Sequence, residues 1–166
     1  MMLGAGSPAP LLQRDDFTEA SAFRPEAMMR EARRQKGLGA SPVPPVLVLD
    51  PDGDIVDFVR AEKDAKPSRD WACYHTRLWE WRERGTRFGV VGHAVGASFA
   101  VLVAEQAFAS GCELLVSVTS AGQIHDLGQT PYHILIERAL RDEGTSYHYL
   151  PAAPWADADP AVIALA

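Results

Sequence analysis

Two segments of this 166-residue sequence carry residue types suited to ligand contact, Gly89–Ser98 and Val116–Gln123. In the first, Gly92, Ala94, Gly96 and Ala97 lack bulk, so a ligand can approach the backbone closely. Ser98 stands where it can cap a following helix, whose free N-terminal amides favour an anion. In the second, Thr119, Ser120 and Gly122 offer two hydroxyls and an open backbone. Each turn follows an apolar run that reads as a strand, Phe88–Val91 and Leu114–Val118, and Ser98–Ala109 reads as a helix stopped by Ser110-Gly111. Strand, helix and strand make a crossover of the kind that builds a parallel sheet, and such sheets bind ligands beyond the carboxyl ends of their strands. The alternative is that small residues merely allow tight strand–helix packing, and the residues alone leave both readings open.

Other chemistries are narrower. Gly92-His93-Ala94-Val95-Gly96 has the outline of a nucleophile elbow, but Ala94 holds the nucleophile position and cannot attack a carbonyl, which excludes a serine hydrolase there. The spacing is not G-x-G-x-x-G, so a dinucleotide fingerprint is absent. Cys73 and Cys112 form no C-x-x-C pair and have no histidine cluster beside them; they read as buried free thiols in a reducing compartment, and no metal site is expected. His125-Asp126 reads as a loop pair, His75 as a helix-face histidine, and Glu105 and Glu113 as solvated. His148, between two tyrosines, is suited either to stacking on a base or to packing in a loop.

The elements that position these segments follow from pattern. Met1–Leu12 is a loose leader rich in Gly, Pro, Ala and Ser, and the stretch from about Phe17 to Lys36 is charged and helix-prone, with Pro25 at the first turn and Gly37 and Gly39 at the stop. Ser41–Pro45 is a connector, Val46–Leu49 a buried strand, and Asp50-Pro51-Asp52-Gly53 a turn in which Gly53 suits a positive φ. Ile55–Val59 fits a strand or a helix start. Lys63–Asp70 is a polar loop. Trp71–Arg84 has the apolar spacing of an amphipathic helix, through Trp71, Tyr74, Leu78 and Trp81, stopped by Gly85. Beyond the second turn, His133–Leu140 is apolar and ambiguous, Arg141–Tyr149 polar and aromatic, Pro151–Pro160 a loop, and Ala161–Ala166 the start of a helix.

Composition bounds the partners. With 47% hydrophobic residues the chain can bury an ordinary core, and a formal net charge of −6 argues against a nucleic-acid partner. The basic run Arg30–Lys36 reads as a solvated helix face. No apolar run reaches the ~18 residues of a membrane helix, and no secretory signal opens the chain, so a soluble, cytoplasmic protein with no membrane partner is expected.

Three segments together resemble the purine nucleoside and uridine phosphorylase superfamily. Gly92–Ser98 resembles its glycine-rich turn, Leu115–Gly122 its next strand and Gly-Thr/Ser-x-Gly turn, and Ala139-Leu140-Arg141-Asp142-Glu143-Gly144-Thr145-Ser146-Tyr147-His148-Tyr149 its A-x-R-x-D-G-x-S segment. The turn at Asp50–Asp54 fits the place of its first phosphate loop. The resemblance runs from about Pro45 to Pro160. It implies an α/β, three-layer αβα fold with a mixed, mostly parallel sheet, in which residues 1–44 are a leader and helix and residues 45–166 a partial, N-terminal portion of the domain.

It also implies phosphorolysis of the N-glycosidic bond of a purine or pyrimidine nucleoside, giving free base and ribose 1-phosphate. Inorganic phosphate is then the co-substrate, no other cofactor is needed, and a homo-oligomer is expected. By resemblance Gly53 faces phosphate, His93 and Val95 lie near ribose, Gly96 beside them contacts substrate, and Thr119, Ser120, Ala121 and Gly122 line the phosphate, ribose and base region. Ser120 is the best direct phosphate donor, while His148 stays open between stacking on a base, reaching a neighbouring subunit's site and packing in a loop. Two departures stand out. Ser117 replaces the arginine that relatives often carry before the second turn, and Val56 and Asp57 occupy the neighbourhood of another. Without them phosphate loses its bidentate clamp, which favours a hydrolytic nucleosidase unless Arg60, Arg87 or Arg141 substitutes. The family's later catalytic residues have no counterpart after Tyr149, so the catalytic groups stay unassigned and a non-catalytic binding or oligomerisation module is a third reading.

Overall fold

The computed structural model describes residues 9–14 and 16–164. Most of the expected leader lies outside them; its described end forms a short 3-10 helix at Pro10–Gln13. The chain divides into two compact units with a sheet each, one of Ala20–Ala121 and one of the described parts of Met1–Glu19 and Gly122–Ala166.

In the first unit, helix α1 spans Pro25–Lys36, with Pro25 in its first turn and Gly37 at its stop as expected; the helix takes up only the later part of the helix-prone stretch. Arg24 is extended, as a residue before proline prefers, and Pro25 is preset for the first turn. Gly37, at φ 64°, ends the helix and donates its N–H to the Arg33 and Arg34 carbonyls. Strand β1 is Val46–Asp50 and helix α2 is Asp54–Glu62, which settles Ile55–Val59 as helical. A two-residue strand β2, Lys66–Pro67, precedes the hairpin of β3, Leu78–Glu83, and β4, Thr86–Gly92. Helix α3, Ala97–Ala109, and strand β5, Leu114–Ser117, complete the crossover.

The expected helix over Trp71–Arg84 is not formed. Its second half is β3, and the side chains there alternate: Leu78 packs with α1 and α3, while Trp79 and Trp81 pack on the opposite face with α2. Gly85 ends no helix; with Arg84 at φ 49° and Gly85 at φ 85°, the two residues make the hairpin turn whose twist suits paired strands. Trp71, Ala72 and Cys73 remain buried in an irregular segment, with Trp71 Nε1 donating to Thr76 Oγ1 at 3.0 Å.

The five strands run in the order β2-β3-β4-β1-β5. The pairs β4-β1 and β1-β5 are parallel, whereas β2-β3 and β3-β4 are antiparallel, so the parallel half carries the candidate turns. The sheet separates two apolar layers. Leu47, Leu49, Leu78 and Val91 face Met29 and Ala32 of α1 and Val103 and Ala107 of α3. Val48 and Val90 face Val56 and Val59 of α2. Each fully buried side chain of this kind contributes roughly 1.5–3 kcal/mol, and burial from both faces explains why β1 and β4 read as unbroken apolar runs. Both cysteines are free and buried, and burial pushes the Cys112 thiol up. Among the described residues no helix is long and apolar enough to cross a membrane, and no cluster of three metal-ligating side chains occurs.

In the second unit, β6, Arg138–Leu140, pairs antiparallel with β7, Trp155–Asp157, so part of the expected Pro151–Pro160 loop is a strand. A short helix α4, Pro160–Ile163, is capped by Asp159, whose carboxylate accepts from the Ala161 N–H at 2.8 Å.

Candidate functional site

Three turns leave the carboxyl ends of the adjacent parallel strands β4, β1 and β5. Register places them side by side: Asp50 pairs with Gly92, and Leu49 with Ser117. Two backbone bonds extend the pairing past the strands, from His93 N–H to the Asp50 carbonyl at 2.9 Å and from Val118 N–H to the Leu49 carbonyl at 2.9 Å.

Asp50 organises the central turn. It is 1% exposed, and its carboxylate accepts from the Gly53 N–H at 3.0 Å and the Val56 N–H at 2.9 Å. The second bond satisfies a free amide in the first turn of α2, where Gly53 itself supplies no side-chain cap. Gly53 has φ 93°, and a Cβ there would lie 2.1 Å from His93 Cε1. The His93 imidazole therefore sits over Gly53, and His93 itself adopts φ 63°. The structure thus brings Gly53 and His93 together. Gly92 is tightly placed too: a Cβ would meet Val56 Cγ2 at 2.9 Å.

The central turn and the turn after β5 meet through a carboxylate. Asp52 Oδ2 accepts from Thr119 Oγ1 at 3.1 Å and from the Ser120 backbone N–H. The Ser120 N–H, and after it the Thr119 hydroxyl, hold the Asp52 carboxyl below its ordinary range. Val95 is 69% exposed beside Gly96, whose φ is 92°. Ala121 is exposed at the end of the unit. Ser98 does not cap α3: the helix begins one residue before it, and no side chain caps its start.

Gly122 and His148 belong to the second unit. His148 lies in a 3-10 turn, Ser146–His148, donating its N–H to the Thr145 carbonyl at 3.0 Å and accepting from Arg14 Nη1 at 3.2 Å through its own carbonyl. The loop expected around His125-Asp126 is present, with the Asp126 carboxylate accepting from the Gly128 N–H at 2.9 Å.

The three arginines weighed as phosphate ligands are engaged elsewhere. Arg60 lies over the Trp79 ring at 4.5 Å and pairs with Asp57 at 3.4 Å. Arg87 pairs with Glu80 at 3.0 Å and Asp70 at 3.6 Å. Arg141, 6% exposed, donates to the carbonyls of Pro151 at 2.5 Å and Leu150 at 3.1 Å and to Ser146 Oγ at 2.8 Å. The segment that read as polar and aromatic is thus folded around a buried guanidinium. A cleft of about 570 Å³ lined by Arg30, Arg33 and Gly111 lies at the opposite ends of the strands, beyond the C-terminus of α3, and is remote from the three turns.

Similarity to known proteins is confined to structure. No protein-family model matches the sequence, and no curated protein matches it. Two crystal structures of uridine phosphorylase from Vibrio fischeri match its fold, each at 22% identity over 78% of this chain. One, complexed with 6-hydroxy-1-naphthoic acid, has a TM-score of 0.56 and the other 0.57. The fold is phosphorylase-like. This chain spans about half of the uridine phosphorylase chain, 51% in one structure and 52% in the other.

Proposed function

We propose that this chain binds a nucleoside on the three turns and takes part in cleaving its N-glycosidic bond. The observation that carries this reading is the convergence of Asp50–Gly53, Gly92–Gly96 and Val118–Ala121 at the carboxyl ends of adjacent parallel strands, within the fold of a uridine phosphorylase. Ribose and base would meet His93, Val95, Gly96, Thr119, Ser120 and Ala121, with Gly53 beneath the His93 ring. In a phosphorylase the ribosyl group passes to phosphate, giving free base and ribose 1-phosphate through a transition state of oxocarbenium character that electrostatics stabilise.

A second reading, hydrolysis to free base and ribose, has a specific observation in its favour. The turns carry no arginine or lysine, Arg60, Arg87 and Arg141 are engaged elsewhere, and the Ser120 N–H is already answered by Asp52. Base release from a panel of purine and pyrimidine nucleosides, followed by chromatography with and without phosphate, separates the two. Turnover only with phosphate establishes phosphorolysis, and equal turnover without it establishes hydrolysis. Binding without turnover leaves a nucleoside-binding module. Absence of both binding and turnover in folded protein refutes the proposal.

A further inference from the structure

Resting on that reading, we propose that Asp52 is an internal anion that occupies the oxyanion position of the site and so makes water, not phosphate, the acceptor of the ribosyl group. In that reaction the bond between C1′ and the base nitrogen breaks, a bond forms between C1′ and the water oxygen, and the proton released from water ends on the departing base.

The geometry is that of a filled anion site. Two donors of different origin, the Ser120 backbone N–H and the Thr119 hydroxyl, converge on one oxygen, Asp52 Oδ2. Convergence of donors on a single point is what an oxyanion requires, and here a side chain 68 positions away supplies it. Asp52 is held there on two sides. Its turn is tied down by the Asp50 carboxylate to Gly53 and Val56, and the Asp50 carbonyl is tied to the next turn through His93 N–H. The third turn is fixed by Val118 N–H on the Leu49 carbonyl. A phosphate oxygen reaching the same N–H must displace the carboxylate or stand beside it, and like charges at that separation repel. No lysine or arginine of the turns offsets the repulsion, since the Asp50–Asp54, Gly92–Ser98 and Val118–Gly122 segments contain none. The depressed carboxyl of Asp52 keeps it an anion across the neutral range. A neutral nucleoside meets no such barrier, because ribose hydroxyls can donate to a carboxylate.

The experiment is a titration of the whole 15N-labelled chain, wild type and Asp52→Ala, with inorganic phosphate and separately with uridine and inosine, following the backbone amides of Ser120 and His93. The expected result is that phosphate leaves Ser120 unmoved in the wild type and shifts it in Asp52→Ala with an affinity at least tenfold tighter. Asp52→Asn, which keeps an acceptor oxygen but no charge, should fall between them and carries the test if the alanine variant does not fold. Phosphate binding at Ser120 with equal affinity in wild type and variants overturns the proposal, as does its absence from folded variants. The nucleoside arm decides the underlying reading separately. Shifts of Ser120 and His93 with either nucleoside sustain it. Their absence in wild type and both variants overturns it, whatever phosphate does.

Discussion

Removing the Asp50 carboxylate should unfasten the central turn, at a cost that can be worked from its two bonds. Asp50 is 1% exposed and its partners, the N–H groups of Gly53 and Val56, belong to buried residues. Asp50→Asn keeps one carbonyl oxygen and turns an NH2 group toward the other N–H, so one bond to a charged acceptor is lost and a donor faces a donor. A hydrogen bond to a charged group contributes about 1.5–3 kcal/mol, and an unsatisfied buried donor costs about 1–3 kcal/mol. These overlap because they describe the same N–H, and a net loss of about 2–4 kcal/mol is expected. Asp50→Ala loses both bonds and should cost about 3–5 kcal/mol, a large share of the roughly 5–15 kcal/mol that holds a domain folded.

Urea denaturation reads this directly. With a slope of about 1–3 kcal/mol per molar, the asparagine variant should shift its midpoint down by about 1–2 M. Asp54→Asn, an exposed neighbour in the first turn of α2, is the control and should lose no more than about 1 kcal/mol from the helix dipole. An Asp50→Asn variant within about 0.5 kcal/mol of the wild type, the range of an ordinary surface change, would refute the reasoning, since the two N–H groups would then be satisfied without the carboxylate.

Three further outcomes are expected. Gly53→Ala places a Cβ 2.1 Å from His93 Cε1 at φ 93°; the backbone share should be about 1–2 kcal/mol, and the steric share about 1 kcal/mol because the exposed His93 ring can swing aside. Only the steric share should vanish in a His93→Ala background, so a four-protein urea cycle should give a coupling of about 1 kcal/mol, and additivity would show that the ring does not rest on Gly53. Arg141→Lys cannot reproduce the bonds to Pro151, Leu150 and Ser146; a loss of about 2–3 kcal/mol should speed hydrogen exchange of the β6 and β7 amides roughly 30- to 150-fold, and unchanged exchange would make that guanidinium dispensable. Glu143 accepts from Ser146 and Thr145, which holds its carboxyl below the ordinary value of 4.5. Its contribution is therefore present above that value and lost as pH falls through the lowered one. The melting-temperature gap between wild type and Glu143→Gln should be open at neutral pH and close in acid, and a gap independent of pH would remove the carboxylate from the account.

What was legible in the sequence follows from how each feature is encoded. Val46–Leu49 and Phe88–Val91 announce themselves because both faces of those strands are buried, so the apolar run is continuous and turn residues end it. The Trp71–Arg84 segment misleads because Trp71, Tyr74, Leu78 and Trp81 fit a helical period, while the alternation that decides the case, Leu78 to one layer and Trp79 and Trp81 to the other, needs a second apolar layer to be visible. Gly85 compounds the error, since a positive-φ glycine ends a helix and turns a hairpin equally well. Asp50 read as the edge of a turn; that it is the buried acceptor for Val56 depends on α2, which the sequence left undecided. The contact of Asp52 with Ser120 spans 68 positions and exists only because β5 lies beside β1. A strand order, not a motif, creates it. The arginines were conspicuous by their absence from the motif positions, but only the structure shows where the remaining ones are engaged.

The charge of the site bears on its ligand more than its shape does. Asp50, Asp52 and Asp54 stand on one turn, and no lysine or arginine is present on the three turns to balance them. On the proposed function, such a surface would recognise a nucleoside by hydroxyls and ring edges, with Thr119, Ser120 and backbone groups on offer, and binding of a neutral nucleoside would release no counterions. Its affinity should therefore be insensitive to ionic strength. A phosphate clamp behaves oppositely: an exposed pair of opposite charges about 4 Å apart gains roughly 1–4 kcal/mol in effective dielectrics between water and a protein surface, and salt erodes that gain as the screening length falls to about 10 Å at 0.1 M. Uridine and inosine affinities measured by calorimetry across a salt series should stay within twofold. A tenfold fall would require a cation in the site that the three turns do not contain, and the assignment of a neutral ligand to an acidic surface would fail with it.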